Sequence, residues 1–129
     1  MKDCAAMRRS RIGLAGFFSL AAAMHFLRPR FYEAIVPTAI SARKREIVAV
    51  SGAAEIAGAA LVLLAPSSRL GRWWLLALLV AVFPANIHMA VSPEQVRGLD
   101  LRRVPRWALW ARLPLQPVAM LWVWRATRD

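Results

Sequence analysis

Four long apolar runs, separated by gaps that hold most of the charge, leave this chain few folds to choose from. They extend from Ile12 to Leu27, Ile47 to Ala65, Trp73 to Val91 and Trp107 to Trp124. A bilayer core about 30 Å thick takes about 20 helical residues to cross, and a spanning segment must satisfy its backbone hydrogen bonds internally. The runs therefore predict an all-α fold, an integral membrane four-helix bundle, with spans at approximately 12–27, 47–65, 73–91 and 107–124 in a single domain covering residues 1–129.

Each run carries its own boundary signals. The first, with 16 residues, is short for a span, and Phe31 and Tyr32 beyond it can extend the anchoring at the interface. Pro66 closes the second, since it cannot continue a helix. A tight loop with Ser67, Ser68, Arg69 and Arg72 follows, and Trp73 and Trp74 open the third run at the headgroup boundary. Arg112, Pro114, Gln116 and Pro117 interrupt the fourth, which predicts a bend. Of the two longer connections, 28–46 and 92–106, the second contains Ser92-Pro93-Glu94-Gln95, a helix-capping pattern. In the first, Phe31, Tyr32, Ile35 and Val36 are placed to face the interface from a short amphipathic helix. Residues 1–25 also have the parts of a signal peptide, but its removal would discard the first span, so the segment is read as retained.

Composition agrees with a lipid setting: 59% of the side chains are hydrophobic, more than a soluble domain of 129 residues carries. The balance of 18 Lys and Arg against 7 Asp and Glu raises the question of nucleic acid, and the positions of the charges answer it. They flank the spans, where they hold helix ends at anionic headgroups, so no nucleic-acid partner is expected. Cys4 is the one cysteine, which excludes an internal disulfide and a CxxC redox pair. Eight basic residues lie on the side of the termini and nine on the side of the long connections, a near tie. The cluster Lys2, Arg8, Arg9 and Arg11 before the first span favours cytoplasmic termini and insertion in the cytoplasmic membrane.

Polar residues at membrane depth are costly and persist where they face the protein interior and find partners. The candidates are His25 in the first span, Glu55 in the second, Asn86 and His88 in the third, and Arg112 and Gln116 in the fourth. At a helical rise of about 1.5 Å per residue, His25 and His88 fall within about 5 Å of the long-connection boundary. Asn86 and Arg112 fall at roughly 7 to 8 Å, and Glu55 and Gln116 near the midplane, so the set reads as a polar funnel. Ser51, Glu55, Gly58 and Val62 share one helix face, with Gly52 and Ala59 at its edge, and small residues there admit a close neighbour. Arg112 and Gln116 share another face, which makes an Arg112 to Glu55 ion pair with Gln116 beside it geometrically reasonable. Asn86 and His88, two apart, cannot both point inward. Such a centre can fix packing, hold a ligand or handle protons, or meet a second membrane protein. His25 and His88 read as interfacial hydrogen-bonding residues, with paired haem ligation as the rarer use. No zinc, P-loop or hydrolase signature is present, and the lone Glu55 has no second carboxylate at its depth, so no catalytic residue and no metal ligand is assigned.

The motifs in their order resemble the bacterial DoxX-like membrane proteins. They run from His25-Phe26 with Pro29, Tyr32 and Pro37, through Ser51-Gly52 with Glu55 and Gly58, to Leu63-Leu64 with Pro66 and Arg69. Phe83-Pro84-Ala85-Asn86 with Met89-Ala90 and Arg112-Leu113-Pro114-Leu115-Gln116 complete them. The resemblance implies a small membrane protein associated with redox enzymes, similar to a subunit of a thiosulfate:quinone oxidoreductase. The expected function is an accessory or assembly subunit of a membrane redox or stress-response system, without an activity of its own. Its expected partners are the lipid bilayer and a membrane protein or further copies of itself. The alternative is a quinone-interacting subunit of a membrane oxidoreductase, with electrons delivered by a partner. A transporter is disfavoured, since four helices per chain would have to oligomerise to build a pathway.

Overall fold

The structure is a computed structural model that describes residues 2–36, 38–64, 67–91 and 105–128. Among these residues all regular structure is helical. Helix α1 is Lys2–Leu27, α2 Pro29–Ile35, α3 Lys44–Leu63, α4 Ser68–Val91 and α5 Arg106–Ala126, with a 3₁₀ turn at Thr38–Arg43 before α3. Three of them are long and apolar enough to cross a membrane: α1 over Asp3–Leu27, α3 and α4, with mean hydropathies of 1.3, 1.7 and 1.9. Helix α5 has 21 residues but lies outside that group, because Arg112, Gln116 and two prolines dilute its apolar content.

The helices begin earlier than the apolar runs. Helix α1 starts ten residues before Ile12, since apolarity marks what suits lipid whereas Lys, Ala, Met and Arg continue a helix into water equally well. Ser68, Arg69 and Arg72, expected in a loop, form the first turns of α4. The connection from α3 is correspondingly tight. The Ser67 hydroxyl donates to the carbonyls of Leu61 (2.9 Å) and Leu64 (3.1 Å), which lie at the end of α3. Helix α5 runs unbroken through Pro114 and Pro117. Pro66 and the expected cap at Ser92 to Gln95 lie outside the described residues.

Helix α1 packs on α3, α3 on α4, α4 on α5, and α5 back on α1. In this ring α3 and α5 stand on a diagonal. Glycines set the closest approaches. A Cβ on Gly71 of α4 would meet Val62 of α3 at its Cγ1 (2.8 Å) and its backbone nitrogen (2.9 Å). A Cβ on Gly58 would run into Leu75. Leu14, Phe18, Val62, Leu75 and Val123 fill the core toward the termini, and a second cluster of Met89, Ala90 and Leu109 lies toward α2. Large apolar side chains cover the outside, among them Leu20, Val50, Ile56, Val80 and Leu121.

The terminal end is tied by arginine. Arg72 is 9% exposed; its Nε donates to Thr127 Oγ1 at 3.0 Å, its Nη2 to the Thr127 carbonyl, and its guanidinium lies 4.9 Å from the centre of the Trp124 ring. It is therefore not a headgroup residue, as its sequence position suggested. Arg11 Nε donates to the carbonyl of Ala126 at 2.9 Å, and Trp122 Nε1 to Ser10 Oγ at 3.0 Å. The two arginines serve the last carbonyls of α5, which have no partners within their own helix, and the Trp122 bond ties α5 to α1.

At the other end the chain folds back. Helix α2 forms where the sequence predicts it, with Pro29 in its first turn. Phe31, Tyr32 and the following Val36 turn inward instead of toward an interface: Val36 is buried, and half-buried Phe31 and Tyr32 pack against the Met89 and Leu109 cluster. Burying aromatic area against the helix ends explains the difference, because the interior offers closer packing than headgroups do.

Candidate functional site

Between the two core clusters lies a cavity of about 370 Å³, walled by α1, α3, α4 and α5 and covered by α2 and the 3₁₀ turn. Its walls are mostly apolar, from residues such as Phe17, Phe18, Val48 and Leu115. Of the six polar residues singled out in the sequence, His25, Glu55, Asn86, Arg112 and Gln116 line it and His88 does not. The two histidines thus do not share the cavity, and the spacing argument about Asn86 and His88 resolves in favour of Asn86. Tyr32 and Ser51 line it as well. Tyr32 was expected at the interface, and only its place in the motif order signalled another role.

Helix α3 places Glu55 by its pattern of small residues. Gly52 lets α1 approach so closely that a Cβ there would lie 3.2 Å from His25 Cβ and 2.9 Å from Phe26 Cε2. One turn further on, Glu55 is 7% exposed, and its Oε2 is 3.2 Å from His25 Nδ1. His25, at 8% exposure, is buried and not interfacial. Its Nδ1 is also 2.8 Å from the carbonyl of Ala21, one turn back in α1, and takes that carbonyl as its hydrogen-bond partner. Oε2 of Glu55 receives no hydrogen bond and is a buried acceptor without a donor. Buried oxygens of this kind are rare and costly.

The expected Glu55 to Arg112 ion pair does not form. Arg112 stands on α5, diagonal to α3, and no carboxylate comes within ion-pair distance of it among the described residues. Its hydrogen bond is to a soft acceptor, the Met89 sulfur at 3.8 Å from Nη1. Gln116 is committed elsewhere: its Oε1 accepts from Asn86 Nδ2 at 2.9 Å, and its Nε2 donates to the Leu79 carbonyl. Pro84 lies close to that last bond. Lacking an N–H, it leaves the carbonyl of Val80 without its donor in the ladder of α4, and the Gln116 carboxamide bonds the neighbouring carbonyl, beside that gap.

Tyr32 closes the site from α2. Its ring stacks on His25 with centroids 3.8 Å apart and planes 18° apart. Burial raises the Tyr32 phenol above its ordinary pKa, the Glu55 carboxylate adds to the rise and the Arg112 guanidinium opposes it. Tyr32 therefore feels both charges. Among the described residues, the site presents a carboxylate oxygen that receives no hydrogen bond and a guanidinium with no carboxylate beside it, in a mostly apolar chamber.

A chain that is all-helical among its described residues, with three helices long and apolar enough to cross a membrane and a polar-lined chamber between helices, is the class this defines. The chain belongs to the family described as Domain of unknown function (DUF8561), which matches residues 14–127. Neither a curated protein nor a solved structure matches it.

Proposed function

We propose that the chain is a multi-pass protein of the cytoplasmic membrane, in which α1, α3, α4 and α5 all cross as a four-helix bundle of the DoxX-like kind. In this reading it is an accessory subunit of a membrane redox or stress-response system that holds a small ligand. The observation that carries it is the cavity. A network kept only for packing would close such a space, because interiors pack to crystal density, whereas ligand sites are apolar chambers with a few convergent polar groups. The crossing by α5 is supported by its faces: Gln116 and Arg112 turn inward, and Val118 and Leu121 are exposed outward. An average over the whole helix counts the inward polar residues against it although they do not meet lipid.

A quinone-interacting subunit is the second reading, favoured by the guanidinium of Arg112, free to donate to a ring carbonyl, and by the aromatic wall of His25 and Tyr32. Electrons would come from a partner. Native mass spectrometry of the protein extracted with its own lipids tests both. A stoichiometric quinone supports the second reading, and a bound membrane protein supports the accessory role. Finding no quinone, no other bound small molecule and no membrane protein overturns the proposal.

Cytoplasmic termini follow from the basic N-terminal part of α1. Cys4 is exposed and is the one cysteine, so an impermeant maleimide applied to intact cells should leave it unlabelled until the membrane is opened. Labelling of intact cells would reverse the orientation.

A further inference from the structure

Glu55 and Arg112, which form no ion pair with each other, belong to helices that stand on the diagonal, and this constrains what fits between them. Glu55 on α3 presents a buried carboxylate oxygen with no donor, and Arg112 on α5 presents a guanidinium whose hydrogen bond goes to a thioether. A group of either single charge placed here would satisfy one and be repelled by the other. A neutral hydroxyl would leave most of both desolvation costs in place. Asn86 and Gln116 spend their mutual hydrogen bond, and Gln116 its amide, inside the protein, so they bridge nothing across the chamber.

We infer that the cavity takes a small zwitterion, with an ammonium group donating to Glu55 Oε2, an anionic group on Arg112 and an apolar linker against Phe18 and Leu79. This rests on the ligand-binding reading of the cavity. The polarity follows from the chain: ammonium supplies the N–H that Oε2 lacks, and the guanidinium fork matches carboxylate or phosphate. Tyr32 lines the same cavity from α2, within the field of both charges. A free amino acid-like molecule and a phosphoethanolamine headgroup carry the same pair of groups.

The test is a thermal-shift titration of the full chain in detergent with ω-amino carboxylates of increasing length, each beside its matched alkylamine and alkylcarboxylate. Short-chain phosphatidylethanolamine and phosphatidylglycerol form a second arm. The zwitterion of fitting length should stabilise the protein while its singly charged analogues do not, and E55Q or R112Q should weaken the response by about tenfold or more. A response in the first arm identifies a free zwitterion, and one confined to phosphatidylethanolamine identifies a headgroup. Equal responses to single-charge analogues, or no response in either arm, overturn the inference without reference to any variant's folding. A quinone retained in native mass spectrometry together with such a failure would leave the redox reading standing and remove only the zwitterion.

Discussion

The rings of His25 and Tyr32 lie face to face, 3.8 Å between centroids, and this contact joins the fold-back helix α2 to the end of α1. Tyr32 is the one tyrosine in the chain, so its titration can be read without assignment. Its phenolate absorbance should appear at higher pH in the folded protein than in the unfolded chain. E55Q should lower that midpoint and R112Q should raise it, because the carboxylate opposes ionisation and the guanidinium favours it. The folded chain holds this proton more tightly than the unfolded one. The associated stability is therefore full below the ordinary tyrosine range and is lost as pH rises through it toward the folded value. A midpoint unmoved by either substitution would contradict the placement of both charges beside Tyr32.

Gly71 and Gly16 make a matched pair. At Gly71 a methyl group would press on the backbone of α3, so Gly71→Ala should cost about 1–3 kcal/mol. At Gly16 nothing lies within 4 Å of the position a Cβ would take, and Gly16→Ala should be neutral or stabilise by up to about 1 kcal/mol through helix propensity. Reversible unfolding in mixed micelles measures both. Equal effects would remove the close approach of α3 and α4.

Gln116 joins α5 to Asn86 and to the α4 backbone near Pro84. Replacing it with Leu keeps the volume and removes both bonds, at an expected cost of about 1–3 kcal/mol. Hydrogen exchange should rise in the turn around Pro84 more than at the terminal end of α4. Uniform exchange would argue that the carboxamide does not support that turn.

Arg72 holds the end of α5 through Thr127. Arg72→Met should cost about 2–3 kcal/mol, since hydrogen bonds from a charged donor are lost while the stem volume is kept. Carboxypeptidase should then trim the C-terminus faster. Arg72→Lys should rescue little, because an ammonium does not reproduce the fork that reaches both oxygens of Thr127 or its lie over Trp124.

The inward face of α3 could be read in advance, since Gly52, Glu55, Gly58, Ala59 and Val62 recur at helical spacing and all are buried. The same spacing showed that one of Asn86 and His88 had to turn away. Arg72 misled because it lies close to a loop in sequence, and position relative to an apolar run does not reveal a helix that starts at Ser68, five residues before the run's first tryptophan, Trp73.

Sequence by itself determined the elements: apolar runs of membrane length, small residues on one face, and polar residues too costly to leave in lipid. It could not determine who meets whom. The period of a helix fixes which residues share its face but carries no information about which neighbour that face receives. Only the order of helices around the ring decided that Glu55 lies beside His25 and opposite Arg112, and only the fold-back of α2 brought Tyr32 over them. Those contacts are set by the best burial of all the helices together, a property of the assembled packing and not of any one segment.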